Sequence, residues 1–138
     1  MKELKTREQK RMEQTWKILT KTFTENTDAW KGDPRAKKYM GHVKRTPARI
    51  HTSGLGQALA FLKSRGRAEG ILAEEHIAGI TLAILDRPGV DLLGALRAED
   101  AAFLFMASEE ASEVCGWLAR YLAGAGLTPD ETEEEPGA

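Results

Sequence analysis

Apolar residues recur every three or four positions through much of the chain, which is the spacing of an amphipathic helix. The first such stretch begins after Thr6, which forms a capping box with Gln9, and it predicts a helix that continues to about Thr24. Its apolar stripe consists of Met12, Trp16, Leu19 and Phe23. We expect Trp16 to lie in the core.

A second helix is predicted to start at Asp33-Pro34, because aspartate is a good N-cap and proline fits the first helical turn. The apolar face of this helix consists of Ala36, Tyr39, Met40 and Val43. Proline removes a backbone donor and clashes with the preceding turn, so we expect the helix to bend or restart at Pro47.

The stretch from 45 to 65 predicts a helix, a corner and a second helix. Its turn reads Ser53-Gly54-Leu55-Gly56, and Gly54 permits the left-handed backbone that ends a helix. Strong helix formers follow. We expect this second helix to enter the core with Leu59, Phe61 and Leu62 buried.

Three further helices complete the prediction. Residues 68–85 are apolar on nearly all sides, residues 91–96 form a short helix or turn, and a long helix runs from about 98 to 122. The packing seam of that last helix is Leu104, Ala107, Ala111, Val114, Leu118 and Tyr121, and Trp117 should also be buried. No stretch has the two-residue period of a strand, so the predicted fold is all-α, a compact bundle of five or six helices.

The chain is predicted to be one helical domain over residues 1–126, followed by an acidic, disordered tail over residues 127–138. It has one cysteine, Cys115, and no apolar run of the roughly 18 residues that a membrane span needs. No signal peptide is visible in the sequence. We therefore expect a cytoplasmic protein that does not enter a membrane.

The near-neutral total charge conceals a strong asymmetry. Residues 1–67 contain 17 Lys and Arg against 6 Asp and Glu, a net of +11, whereas residues 68–138 contain 3 against 15, a net of −12. Such a split suggests an anionic partner for the basic half or head-to-tail contact between copies, the alternative being that both ends are simply solvated. Our candidates for contact with an anionic partner are Lys10, Lys17, Lys21, Lys37, Lys38, Lys44, Arg45, Arg49, Lys63, Arg65 and Arg67.

Little in the chain indicates catalysis. Gly54-Leu55-Gly56 lacks the spacing of a phosphate-binding loop, and the three histidines are too scattered to predict a metal site. His51 could act as a general base in RNA cleavage, but a histidine at a helix end is more often a cap or hydrogen-bonding group. Glu110 should form an ion pair with a residue of the basic half. We expect no enzymatic activity, cofactor or metal.

These segments together resemble a known family. They are Gln14-Thr15-Trp16, Ala36-Lys37-Lys38-Tyr39, TPARIHTSGLGQALAFLKSR at 46–65, and a last helix with Glu110 ahead of Trp117-Leu118-Ala119-Arg120-Tyr121. The chain resembles the small all-helical subunit of the type III-B CRISPR effector, the Cmr complex, over roughly residues 6–122. The GLGQALAFLKS segment carries most of the specificity.

The resemblance implies a non-catalytic protein of antiviral defence that stacks in copies beside the guide-binding backbone and contacts guide and target RNA. It also implies the other Cmr subunits as partners. Sequence-independent phosphate contact by lysine and arginine fits such a role. Two alternatives remain at this point, a stand-alone helical nucleic-acid-binding regulator and a His51-based ribonuclease.

Overall fold

Side-chain caps fix where the helices begin. In the computed structural model, which describes residues 4–129, the Thr6 hydroxyl accepts from the Gln9 backbone N–H at 3.0 Å and the Gln9 side chain accepts from the Thr6 N–H at 2.9 Å. The carboxylates of Asp33, Asp91 and Asp100 each accept from one backbone N–H at the start of a later helix. The helices are α1 Arg7–Phe23, a 3-10 helix Thr27–Gly32, α2 Pro34–Ser53, α3 Leu55–Arg65, α4 Arg67–Ile84, α5 Leu92–Ala98 and α6 Ala101–Gly124.

The last helix is the centre of the packing. α6 packs against α1, α2 and α4, and α3 packs between α2 and α4. The interior is mostly aliphatic, with Leu19, Leu55, Leu59, Leu62, Ile77 and Leu118 among its fully buried side chains. The all-α bundle is confirmed, as is the burial of Leu59 and Leu62.

Three aromatic residues lie further out than predicted. Trp16 is 41% exposed, and Phe61 and Trp117 are only partly buried. Trp16 stands at the edge of the α1 stripe, and smaller residues such as Thr15 take the inner position instead. Phe61 lies beneath the Arg49 guanidinium, 4.0 Å from the ring centroid. The prediction that these rings fill the core is therefore wrong.

Pro47 does not restart the second helix. α2 is one helix of 20 residues, Pro34–Ser53, that runs through Pro47, and its C-cap is Gly54, whose φ is +92°. A glycine adopts this left-handed backbone without the Cβ clash that other residues incur. The predicted corner is confirmed, but its position is set by Gly54 alone.

The register of the last helix also differs at its start. α6 begins at Ala101 after the Asp100 cap, so Phe103 is the buried residue of its first turn at 4% exposure and Leu104 is 41% exposed. On α4, Ile71 is likewise exposed, so that helix is not buried on all sides.

Near the end of the described chain, Leu127 is buried against the core. The predicted tail over 127–138 falls mostly outside the described residues, so it and the domain boundary stay predictions. No helix within residues 4–129 is long and apolar enough to cross a membrane.

Candidate nucleic-acid interface

The basic residues of α2 occupy the sides of the helix that face away from the core. Lys37, Lys38 and Lys44 are exposed, while Arg45 and Arg49 are half-buried. Lys37 and Lys44 are seven positions apart and so share one stripe, since a helix makes almost two full turns in that distance. α2 therefore presents an ordered row of ammonium groups.

The corner at Gly54 packs α3, which carries further basic residues, against α2. Arg49, in the last turns of α2, stacks on Phe61 of α3. An Arg–aromatic stack of this kind ties the two helices together at the surface. Lys63, two residues after that ring, is exposed in the last turn of α3.

A second sharp corner joins α3 to α4. A Cβ at Gly66 would lie 2.5 Å from the Gly70 Cα, and one at Gly70 would lie 2.7 Å from the Leu62 carbonyl oxygen, so both positions require glycine. The buried His42 of α2 lies against both glycines. Arg65 and Arg67 are exposed on either side of this corner.

Arg67 itself has a left-handed backbone with φ +57°. A non-glycine residue in this region is strained, and such residues concentrate at functional sites.

The structure brings eight of the eleven predicted basic residues onto three consecutive, contacting helices. They are Lys37, Lys38, Lys44, Arg45, Arg49, Lys63, Arg65 and Arg67.

The other three predicted residues form a separate group. Lys10, Lys17 and Lys21 are exposed on α1, which packs mainly on α6 and α4. We therefore treat the α2–α4 residues as one candidate surface, called here the basic surface, and the α1 lysines as a second one.

Not every cation of the basic half faces solvent. Arg11 donates from Nε and Nη2 to the two carboxylate oxygens of Glu110 at 2.5 and 2.8 Å, and Arg7 lies 3.9 Å from the same carboxylate. The hydrogen bond to Glu110 raises the pKa of Arg11 above its ordinary value. The predicted ion pair of Glu110 is confirmed, with Arg11 as its partner.

His51 lies in a groove between the end of α2 and the start of α6. The groove has a volume of about 360 Å³ and is also lined by Ser108 and Glu109. The Ser108 hydroxyl donates to the Leu104 carbonyl at 2.8 Å. Within residues 4–129 no hydrogen bond joins His51 to Glu109, and no group of histidine, cysteine and carboxylate side chains is placed to hold a metal ion.

Two other reactive side chains are enclosed. Burial raises the pKa of the Cys115 thiol to about 12, so it stays protonated and serves as a small core residue. His76 is buried with its Nδ1 2.8 Å from the Tyr39 hydroxyl, and burial lowers its pKa to about 4. Neither residue was singled out from the sequence as a site.

Comparison with known proteins identifies the family. The family model described as CRISPR-associated protein (Cas_Cmr5) matches residues 7–125, which is most of the chain. The chain belongs to the CRISPR-associated Cmr5 family. No curated protein sequence matches it.

A solved Cmr5 structure supports the fold. The crystal structure of a CRISPR-associated Cmr5 family protein from Thermus thermophilus superposes with a TM-score of 0.64 at 19% identity, over 89% of this chain and 99% of that one. At this identity the likeness shows the shared all-α fold. Cmr5 membership confirms the predicted resemblance and makes the chain a small subunit of the CRISPR Cmr system.

Proposed function

We propose that this Cmr5 chain is a non-catalytic subunit of the cytoplasmic Cmr RNA-targeting complex, where it contacts guide and target RNA and stacks against further copies of itself in antiviral defence. The observation that carries the RNA contact is the basic surface, in which eight cationic side chains lie on three consecutive helices joined by two glycine corners. Lysine and arginine arranged in this way bind phosphates without reading sequence.

The geometry of the corners supports this function. A subunit that must accept any target needs a fixed arrangement of charges instead of base-reading side chains. Gly54 and Gly66 hold α2, α3 and α4 in fixed directions, and the Arg49–Phe61 stack stiffens the outer edge. The backbone that carries these cations is therefore fixed before RNA binds.

The test is RNA affinity as a function of salt, measured in the assembled complex. Lys44→Glu should lower affinity and reduce the slope of log K against log salt by about 0.7 to 0.9, because one phosphate contact and its released counterion are lost. The loss should be equal for target strands of unrelated sequence.

The matched control is Arg97→Glu. Arg97 is exposed in the last turn of α5 and carries the same charge, but it lies outside the basic surface. If Lys44→Glu and Arg97→Glu change affinity and slope equally, or neither changes them, the basic surface does not face RNA.

The groove at His51 bears on the non-catalytic part of the proposal. His51 is exposed, and within the described part of the chain it makes no hydrogen bond to Glu109 that would orient it as a base, so the groove lacks a poised acid–base pair. The purified chain should leave labelled RNA intact both with Mg²⁺ and with a chelator. Cleavage that disappears in His51→Ala would instead establish the ribonuclease.

The acidic half supplies a surface for a neighbouring copy. At the start of α6, Phe105 is 67% exposed and Met106 is 50% exposed, and the exposed carboxylates Glu109 and Glu113 lie on the next turns. An apolar patch rimmed by charge is typical of a protein interface. Its negative rim is complementary to the basic half of another copy.

A further inference from the structure

Four aromatic rings form a continuous cluster on the seam between α1 and α6, away from the basic surface. The Trp16 ring lies 5.9 Å from Trp30 and 5.2 Å from Tyr121, and Tyr121 lies 5.6 Å from Trp117, centroid to centroid. These are ordinary distances for interacting aromatic pairs. The cluster joins α1, the 3-10 helix and α6.

The inner rings of this cluster are fixed in place. Trp30 is fully buried, and its Nε1–H donates to the Thr24 carbonyl at 2.8 Å. The Tyr121 hydroxyl donates to the Met12 carbonyl at 3.4 Å. Trp16, by contrast, rests on these two rings and is 41% exposed. The cluster therefore holds a large aromatic side chain rigidly at the surface.

A small pocket opens beside Trp16. It has a volume of about 290 Å³, and its walls are Trp16 and Tyr121, with Thr27, Arg120, Gly124 and Ala125 as the other lining residues. Sites for drug-sized ligands begin at about 300 Å³, so this pocket suits one small planar group. Apart from the two rings, its lining residues are small or polar.

A cation lines the pocket. Arg120 lies over the Trp117 ring at 5.4 Å, and it folds back across Gly116, where a Cβ would come within 3.4 Å of its Nη1. Among residues 4–129 no carboxylate is within ion-pair distance of Arg120.

We propose that this pocket stacks one unpaired nucleobase of a single-stranded RNA on Trp16, with Arg120 beside its phosphate. Aromatic faces bordered by cations are the usual means of holding single-stranded nucleic acid, and stacking accepts any base. Trp, Tyr and Arg are also common in protein interfaces, so binding of a protein partner is an outcome that the test below must separate from base stacking. The inference extends the proposed RNA contact to residues outside the basic surface.

The test compares two RNA probes on the full-length chain at low salt. One is a short single strand with a 2-aminopurine at a central position, and the other is the same strand with an abasic site there. A stacked base should make the first bind roughly 5- to 150-fold more tightly. The 2-aminopurine fluorescence should also be quenched on binding.

Three variants assign that preference to the pocket. Trp16→Ala should abolish the preference for the base-containing strand, whereas Trp16→Phe, which keeps a ring, should retain much of it. Val90→Ala is the control, because Val90 is an apolar residue about as exposed as Trp16 and lies outside the pocket, and it should leave the preference unchanged. None of these variants should alter the salt slope, because no phosphate contact is removed.

Two separate readouts, the salt slope and the preference for the base-containing strand, distinguish the proposed function from this inference. Lys44→Glu should change the salt slope and leave the base preference intact, so either site can fail alone. Equal affinity of the wild-type chain for both probes would overturn the stacking site, as would an unchanged preference in Trp16→Ala. Weaker self-association of Trp16→Ala with unchanged base preference would assign the pocket to a protein contact instead.

Discussion

Glu110 is 2% exposed, yet it carries a carboxylate between the Arg11 and Arg7 guanidinium groups. Removing one partner of a buried ion pair leaves an uncompensated charge, which is more damaging than removing both. Arg11→Ala should therefore lower the free energy of unfolding by about 3 kcal/mol, near the lower end of the usual range because Arg7 remains close. Denaturant unfolding measures this loss.

Two further variants separate the charge effect from packing. Arg11→Met/Glu110→Met, which fills the same space without charge, should recover most of the stability. Lys5→Ala breaks the exposed Lys5–Glu13 pair and should change stability little, since such pairs are screened by water. A double variant as unstable as Arg11→Ala would contradict the buried-charge explanation.

His76 gives the folded protein a dependence on pH. Burial lowers its pKa to about 4 in the folded chain, against about 6.5 when unfolded. As pH falls below 6.5, His76 is protonated in the unfolded chain but stays neutral in the folded chain, so the free energy of unfolding decreases. Below about pH 4 His76 is protonated in both states and causes no further loss. The integrated loss is about 3 kcal/mol.

The measurement is the free energy of unfolding between pH 7 and pH 4 for the wild type and for His76→Gln. Glutamine does not titrate, so its profile should be flatter than that of the wild type over this interval. His51→Gln is the matched control, because it makes the same substitution at an exposed histidine. Parallel profiles for the wild type and His76→Gln would show that His76 is not the group responsible.

At the scale of the elements, the two glycines of the Gly54-Leu55-Gly56 turn have different roles. Gly54 has φ +92°, whereas Gly56 lies within the first turn of α3, and a Cβ at either position meets nothing within 4 Å. Gly54→Ala should therefore destabilise the fold by about 1 to 2 kcal/mol through backbone strain alone. Gly56→Ala should be neutral or stabilise by up to about 1 kcal/mol, because alanine is the better helix former. Equal thermal shifts for the two variants would show that the corner does not depend on Gly54.

Helix starts could be predicted because the capping signal is local. Thr6 with Gln9, and Asp33 ahead of Pro34, specify their caps within four residues, and the structure has both. Burial of individual rings was harder to predict. Whether a residue at the edge of an apolar stripe is buried depends on what packs against it. Trp16 is such a residue, and one of the rings that it contacts, Tyr121, is 105 positions away in the sequence.

The same limit applies to the sites. Charge alone identified the eleven basic residues, but only the corners at Gly54 and Gly66 show that eight of them lie on contacting helices. The pocket beside Trp16 has no local sequence signal, because its rings come from α1, the 3-10 helix and the end of α6. The ion pair expected for Glu110 was a sequence signal that α6 contacts the basic half of the chain, and its partner Arg11 lies on α1.

At the scale of the whole molecule, the charge asymmetry suggests a geometry for the stacking of copies that we propose. Among the described residues, 4–67 have a net charge of +11 and 68–129 a net charge of −7, so the two halves of the sequence are opposite in charge. Contact between unlike surfaces is heterologous, and it extends into a stack instead of closing a two-fold dimer. The apolar side chains Phe105 and Met106, set among carboxylates on α6, lie on the acidic side of such a contact.

This arrangement predicts a monomer in dilute solution and stacked copies only with RNA or the other Cmr subunits. Exposed charge pairs contribute little and are screened by salt, so the contact between two isolated copies should be weak and should weaken further as salt rises. Sedimentation velocity across a salt series measures this directly. Phe105→Ala should reduce stacking in the assembled complex, whereas Val90→Ala, which shortens an exposed apolar residue outside α6, should not. A tight two-fold dimer that persists at high salt would rule out the heterologous stack, because charge complementarity could not then be what joins the copies.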